Sequence, residues 1–169
     1  MAYKYYGDYH MVKGRSNEAM KLYQKAIELN PSKPDVLVSI GWNKINLGDW
    51  QNGVNEIKEA ISMSYRPPGF FHIPLAVDAF RRNDYETSLK ESEIIFNSGD
   101  KRGIALSLAA AIKLNRSDLV TRYTEAYIDY RKDDLANPFR EISNVLKTPK
   151  VLKPACRNYR ASLKVKDEA

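Results

Sequence analysis

Cysteine is nearly absent from this 169-residue chain: Cys156 is the single one, so no internal disulfide can form. Histidine is almost as scarce, with only His10 and His72. There are no paired cysteines and no His-Glu-x-x-His, the spacings that would hold a metal, and no glycine-rich phosphate loop or serine nucleophile elbow. Catalysis has no visible instrument, so neither an enzyme nor a cofactor is expected. No apolar run approaches the roughly eighteen residues that would cross a bilayer, and the opening MAYKYYGDYH lacks the basic, apolar and small-residue order of a signal peptide. The expectation is a soluble, cytoplasmic chain with no membrane span.

An apolar fraction of 43% is that of a folded protein, and the length suits one ordinary domain. The net charge of +6 is unevenly spread: Lys150, Lys153, Arg157, Arg160, Lys164 and Lys166 face only Asp167 and Glu168 in the last twenty residues. Such a tail can meet nucleic acid or an anionic membrane. A solvated helix face explains it more simply, and nucleic acid is disfavoured as a partner.

What the chain does have is self-similarity. Shifting GDYHMVKGRSNEAMKLYQKAIELNP by thirty-four residues lays Gly7 on Gly41, Gly14 on Gly48, Ala26 on Ala60 and Ile27 on Ile61. In the first copy Tyr3, Tyr6, Gly7 and His10 mark the expected inward stripe of a helix over 3–12. Gly14 then supplies a tight turn and Ser16 the cap of a second helix, with Ala19, Tyr23, Ala26 and Ile27 on one face and Asn30-Pro31 ending it. His10, at a packed position, reads as structural; His72 lies near the start of the third copy, where a place away from any binding surface is the favoured reading.

The second copy repeats this plan with Leu37, Ile40 and Gly41, the turn Gly48-Asp49, then Gly53, Ile57 and Ala60. A third follows the insertion at Tyr65-Arg66-Pro67-Pro68, turning at Asn83 and continuing through Ser88, Ser92, Ile95 and Phe96. The fourth runs from Gly103 to Leu114, turns at Asn115, and puts Val120, Tyr123, Ala126, Tyr127 and Tyr130 inward. The markers Gly14, Gly48, Asn83 and Asn115 are 34, 35 and 32 residues apart, and asparagine tolerates the left-handed backbone nearly as glycine does. The expected boundaries are 1–33, 34–67, 68–100 and 101–131, followed by a capping segment over 132–169. That segment ends in a basic amphipathic helix whose apolar stripe is Leu152, Ala155, Cys156, Tyr159 and Leu163.

This pattern resembles the tetratricopeptide repeat. The first copy supplies Tyr3, Tyr6-Gly7, His10, Gly14, Ala19, Tyr23, Ala26 and Pro31, and the resemblance covers residues 1 to 131. It implies an all-α, right-handed superhelical solenoid of about four helix pairs plus C-terminal helices, and a protein or peptide partner bound on the concave side. The family's groove positions fall on Lys4, Asp8 and Met11, then Val38, Trp42 and Ile45, then Ile73, Val77, Phe80 and Arg81, and lastly Ala105, Ala109, Ile112 and Lys113. The binding set expected from these is Val38, Trp42, Ile45, Ile73, Val77, Phe80, Arg81, Ala109 and Lys113. Asp8 and Val38 stand where repeats that clamp a terminal carboxylate have asparagine and lysine, which disfavours that mode.

The resemblance thus implies a non-enzymatic scaffold or adaptor that takes a peptide or partner helix in an apolar groove. The chain's own last helix filling that groove is the other reading of the same residues. The order of the copies and the basic last helix also looks like the C-terminal repeat regions of some bacterial adenylate or guanylate cyclases and winged-helix transcription regulators. On that alternative the chain is a regulatory or dimerisation domain excised from a signalling protein, acting as a homodimer. The opening directly on a repeat, with no polar capping helix, points the same way.

Overall fold

The computed structural model describes residues 2–133. The expected capping segment from residue 134 onward and its basic helix, with Cys156, lie outside the described residues. Regular structure among the described residues is entirely helical: eight α-helices and one short 3-10 turn. Two compact units divide the chain, Met1–Pro74 and Leu75–Ala169.

The first unit holds α1 (Ala2–Val12), α2 (Ser16–Leu29), α3 (Pro34–Asn46), α4 (Trp50–Ser62) and a 3-10 turn over Gly69–His72. The tight turn after α1 is built on Gly14, whose φ of 75° lies in the left-handed region that glycine enters without a Cβ penalty. Its amide donates to the Met11 carbonyl at 2.9 Å, and the Arg15 amide reaches back to His10 at 2.9 Å, which satisfies the last carbonyls of the helix. Gly48, Asn83 and Asn115 have the same handedness and the same pair of bonds. A fifth such stop, at Gly99, ends α6 (Tyr85–Asn97) in the second unit.

The start of α2 differs from the expected one. Arg15 occupies the capping position and makes no side-chain cap bond, while Ser16 is already the first helical residue. In the next two copies the equivalent residues are Asp49 and Asp84, which accept from the amides of Asn52 at 3.4 Å and Thr87 at 3.2 Å. The cap belongs to the residue straight after the left-handed one, and in the first copy that residue is an arginine.

Small residues let the helices of the first unit approach closely. A Cβ added to Gly41 would stand 2.6 Å from the Gly53 carbonyl, and one on Gly53 would stand 2.6 Å from that of Gly41. Between α2 and α3, Ala19, Tyr23 and Ala26 enclose a core with Val36 and Ile40, flanked by Met11, Met20 and Ile27. Tyr23 is wholly buried with its ring against Gly7, and its hydroxyl donates to Asp8 Oδ1 at 2.9 Å. Burial above all, then the charge and hydrogen bond of Asp8, push the Tyr23 hydroxyl well above the ordinary range.

The inward stripe of α1 is therefore not the expected one. Gly7 is its one buried residue; Tyr3 and Tyr6 are exposed and His10 is half-buried. The Tyr23 ring takes the space beside Gly7, and α1 turns so that Gly7, with Asp8 and Met11, meets α2.

α5 (Ile73–Arg81) begins at the end of the first unit and continues into the second, which adds α6, α7 (Arg102–Lys113) and α8 (Ser117–Asp133). Serine links the layers: Ser88 Oγ donates to the Ala76 carbonyl at 2.8 Å, and Ser107 Oγ to Ser92 Oγ at 3.0 Å. Gly103 lets α7 pass over the end of α6, since a Cβ there would stand 2.3 Å from the Phe96 amide nitrogen. Every residue of α7 from Gly103 to Ala111 is buried. On α8, Tyr123, Tyr127 and Tyr130 point inward, as their three- and four-residue spacing requires. Tyr123 stands edge-on to Phe96 and donates to Glu93 Oε1 at 2.6 Å. Burial first, then that bond and the Glu93 charge, push its hydroxyl up to about 12.

Candidate functional site

In the first unit the expected binding residues sit on α3. Val38 and Trp42 are one helical turn apart and both are buried, Trp42 to 7% exposure. Ile45 is turned toward α4: a Cβ on Gly53 would stand 2.7 Å from its Cγ1, so its side chain fills the room that Gly53 leaves. Ile73, at the first position of α5, is also buried. Lys44, next to Ile45, pairs with Glu56 and ties the edge of α3 to α4.

In the second unit part of the expected set comes together. Phe80 of α5 and Ala109 of α7 share a small apolar cluster against which Tyr85 of α6 packs. The Phe80 and Tyr85 rings meet at 5.2 Å and 66°, and Lys113 Nζ lies 6.0 Å from the Tyr85 ring. Phe80 is 5% exposed and Val77 wholly buried, while Arg81 and Lys113 are exposed. Asp78, nearly buried, accepts from Arg81 Nη2 at 2.8 Å and Arg82 Nε at 2.9 Å, so two guanidinium groups are anchored at the end of α5. The result is an aromatic centre with a cationic edge.

A family model of the tetratricopeptide repeat matches residues 1–33. That stretch, the first of the self-similar copies, is similar to a tetratricopeptide repeat. Comparison with the curated proteins finds no match. Tetratricopeptide repeats in general mediate protein–protein interaction, which directs attention to exposed surface rather than to a reactive centre. Among the described residues no group of three or more His, Cys, Asp or Glu side chains converges as a metal site would require, and no helix is long and apolar enough to cross a membrane.

Within the matched repeat, Lys4 Nζ pairs with Asp8 Oδ2 at 2.7 Å. The Lys4 ammonium is thus already neutralised by its neighbour one turn on. Met11, the third groove position of the repeat, packs against the α2–α3 core instead.

The outer face of α1 is the feature that reasoning from the sequence missed. Tyr5, Tyr6, Tyr9 and Val12 are all exposed, and His10 stands edge-on to Tyr6 at 4.9 Å and to Tyr9 at 5.7 Å. The signal was present in the crowding of tyrosines at 3, 5, 6 and 9. Two of those four had a place in the expected stripe, and the other two had none.

Proposed function

We propose that this chain is a non-enzymatic protein-interaction module that takes a peptide or partner helix through side chains of its first-in-pair helices. The observation that carries the proposal is the match of residues 1–33 to a repeat whose general role is protein–protein interaction. The expected set Val38, Trp42, Ile45, Ile73, Val77, Phe80, Arg81, Ala109 and Lys113 falls into a buried apolar part and an accessible edge. The accessible edge, Arg81 and Lys113 beside the half-buried Tyr85, is where a partner makes its first contact. Its charge favours a ligand with carboxylates.

The test is photo-crosslinking in cells from a benzoylphenylalanine placed at position 85, read with and without the double substitution Arg81→Glu and Lys113→Glu. A discrete crosslinked protein whose yield falls about tenfold in the charge-reversed chain, at unchanged circular dichroism, is the expected result. Equal yield from both chains, or no discrete product from either, removes this edge as the binding surface.

A further inference from the structure

Because the first two copies are related by a gapless shift of thirty-four residues, α1 can be compared with α3 position by position. In α3, the face made by Val36, Ser39, Ile40 and Asn43 is buried. A neighbouring helix covers it: Val36 and Ile40 share a core with Ala19, Tyr23 and Ala26 of α2, and Asn43 Nδ2 donates to the Ser16 carbonyl at 2.9 Å. The same positions in α1 are Ala2, Tyr5, Tyr6 and Tyr9. All four are exposed, the tyrosines to 61%, 58% and 50%. The Tyr6 and Tyr9 rings lie parallel at 6.2 Å, and Val12, one turn on from Tyr9, extends the apolar stripe.

An exposed apolar patch of this kind ordinarily marks a contact surface. Here the face is aromatic and its surroundings are cationic. Lys13 Nζ and the Arg15 guanidinium stand 5.8 Å and 5.6 Å from the Tyr9 ring, and Lys25 Nζ 5.8 Å from the Tyr3 ring. None of these three cations is in an ion pair among the described residues.

We propose that the outer face of α1 is a docking site for an amphipathic helix of a partner protein, carrying small apolar residues along its contact stripe and carboxylates on its flanks. The internal precedent sets the shape of the occupant: on the equivalent face of α3 it is a helix, α2, that meets its neighbour through Ala19 and Ala26, seven residues apart. Tyr5, Tyr6 and Tyr9 are bulkier than Ser39, Ile40 and Asn43, so the opposing stripe must again be small. Their rings offer apolar area while the hydroxyls stay in water, the property that makes tyrosine an effective interface anchor. Lys13, Arg15 and Lys25 set the charge of the flanks. A second copy of this chain meeting the face with its own α1 would bring the same cations together. This surface belongs to the first unit, and the Arg81 and Lys113 edge belongs to the second.

The probe is a hydrocarbon-stapled, fluorophore-labelled helix with the sequence of residues 16–29 and the substitutions Lys21→Glu and Lys25→Glu, titrated with the full chain by fluorescence anisotropy. Saturable binding is expected, weakened about tenfold by Tyr5→Ser with Tyr9→Ser in the protein and by a similar factor by Lys13→Glu with Arg15→Glu. The stapled helix that retains Lys21 and Lys25 should bind more weakly to the native chain and regain affinity for the Lys13→Glu, Arg15→Glu chain. The Arg81→Glu, Lys113→Glu chain should bind the acidic probe like the native one, which separates this proposal from the one above. No saturable binding to a chain of native circular dichroism overturns the proposal, as does binding that both α1 variants leave unchanged. Concentration-dependent self-association in sedimentation, abolished by Tyr5→Ser with Tyr9→Ser, overturns it in favour of a second copy as the occupant.

Discussion

α1 and α3 are the same helix of the repeat, yet one holds three tyrosine rings in water and the other buries every equivalent residue. Both start the helix pair, both end on a left-handed residue, and both place a glycine where their partner helix comes close. What separates them among the described residues is a neighbour. α3 has α2 on its outer side, and Val36, Ile40 and Asn43 complete contacts that α2 begins. The repeat pattern fixes where a helix turns and which side faces its own partner; it leaves the outer side to whatever comes next. A position in a repeat is therefore a core position or a binding position according to context.

The strongest way to break this comparison is to truncate equivalent residues. Ile40→Ala should cost about 3 kcal/mol, the lost burial plus the space it leaves in the α2–α3 core. Tyr6→Ala, at the same repeat position, should stay within about 0.5 kcal/mol, since an exposed ring contributes little and alanine suits a helix. Urea denaturation of the two variants measures both. Equal costs would mean that the face of α1 is covered in solution, and a dependence of the Tyr6→Ala value on protein concentration would show that the cover is another molecule.

A smaller contrast concerns the turns. Arg15 and Asp49 share nearly the same backbone, φ of −95° and −83° with ψ of 65° and 68°, but only the aspartate accepts a bond from the helix it precedes. Asp49→Ala should lower stability by about 1 kcal/mol, and Arg15→Asp should raise it by up to a similar amount. The second substitution also takes a cation away from the Tyr9 ring and puts a carboxylate near it. It should therefore stabilise the chain and weaken the acidic helix probe together. If stability and probe affinity rise together, the cationic flank has no part in docking.

The turns were the most legible part of the fold, because a left-handed backbone admits few residues and the four markers are Gly or Asn. The small residues at Gly41 and Gly53 were legible for a similar reason: two backbones that approach this closely leave no room for a Cβ. The orientation of α1 was not legible. Tyr3, Tyr6 and His10 recur at helical spacing, but so do Tyr5, Tyr9 and Val12, and a tyrosine ring suits either side of a helix. The Tyr23 ring against Gly7 decides between them, and that is a tertiary contact. The candidate site was legible in the same uneven way. Helical spacing puts Val38, Trp42 and Ile45 along one stripe, yet the vacancy at Gly53 draws Ile45 toward α4. Phe80 of α5 and Ala109 and Lys113 of α7 were projected as one set; Phe80 and Ala109 share a cluster against which Tyr85 packs, and Lys113 lies near the Tyr85 ring.

The smallest expected effect distinguishes the copies by pH. Hydrogen bonds from Thr87, its hydroxyl first and then its amide, hold the Asp84 carboxyl below the ordinary aspartate value of 3.8. For Asp100 burial acts to raise the carboxyl, but the side-chain and backbone bonds from Arg102, together with its charge, outweigh it and the net direction is down. A carboxyl depressed in the folded state contributes stability that is fully present above its unfolded value and is lost as the pH falls through the lower, folded value. Acid should thus loosen the turns at Asp84 and Asp100 in the second unit, while the turn at Gly14, where Arg15 makes no side-chain cap bond, has no such carboxylate to lose. Carboxyl and amide NMR titrations check this. The Asp84 and Asp100 midpoints should fall below those of the same residues in short peptides, and the Thr87 and Arg102 amides should move with them while the Glu18 amide, at the position of Thr87 in the first copy, moves less. Midpoints at or above the peptide values would show that these carboxylates do not cap their turns in solution. In the Arg15→Asp chain the Glu18 amide should acquire the same low-pH transition as Thr87, because the first copy would then end its turn on the same chemistry as the third.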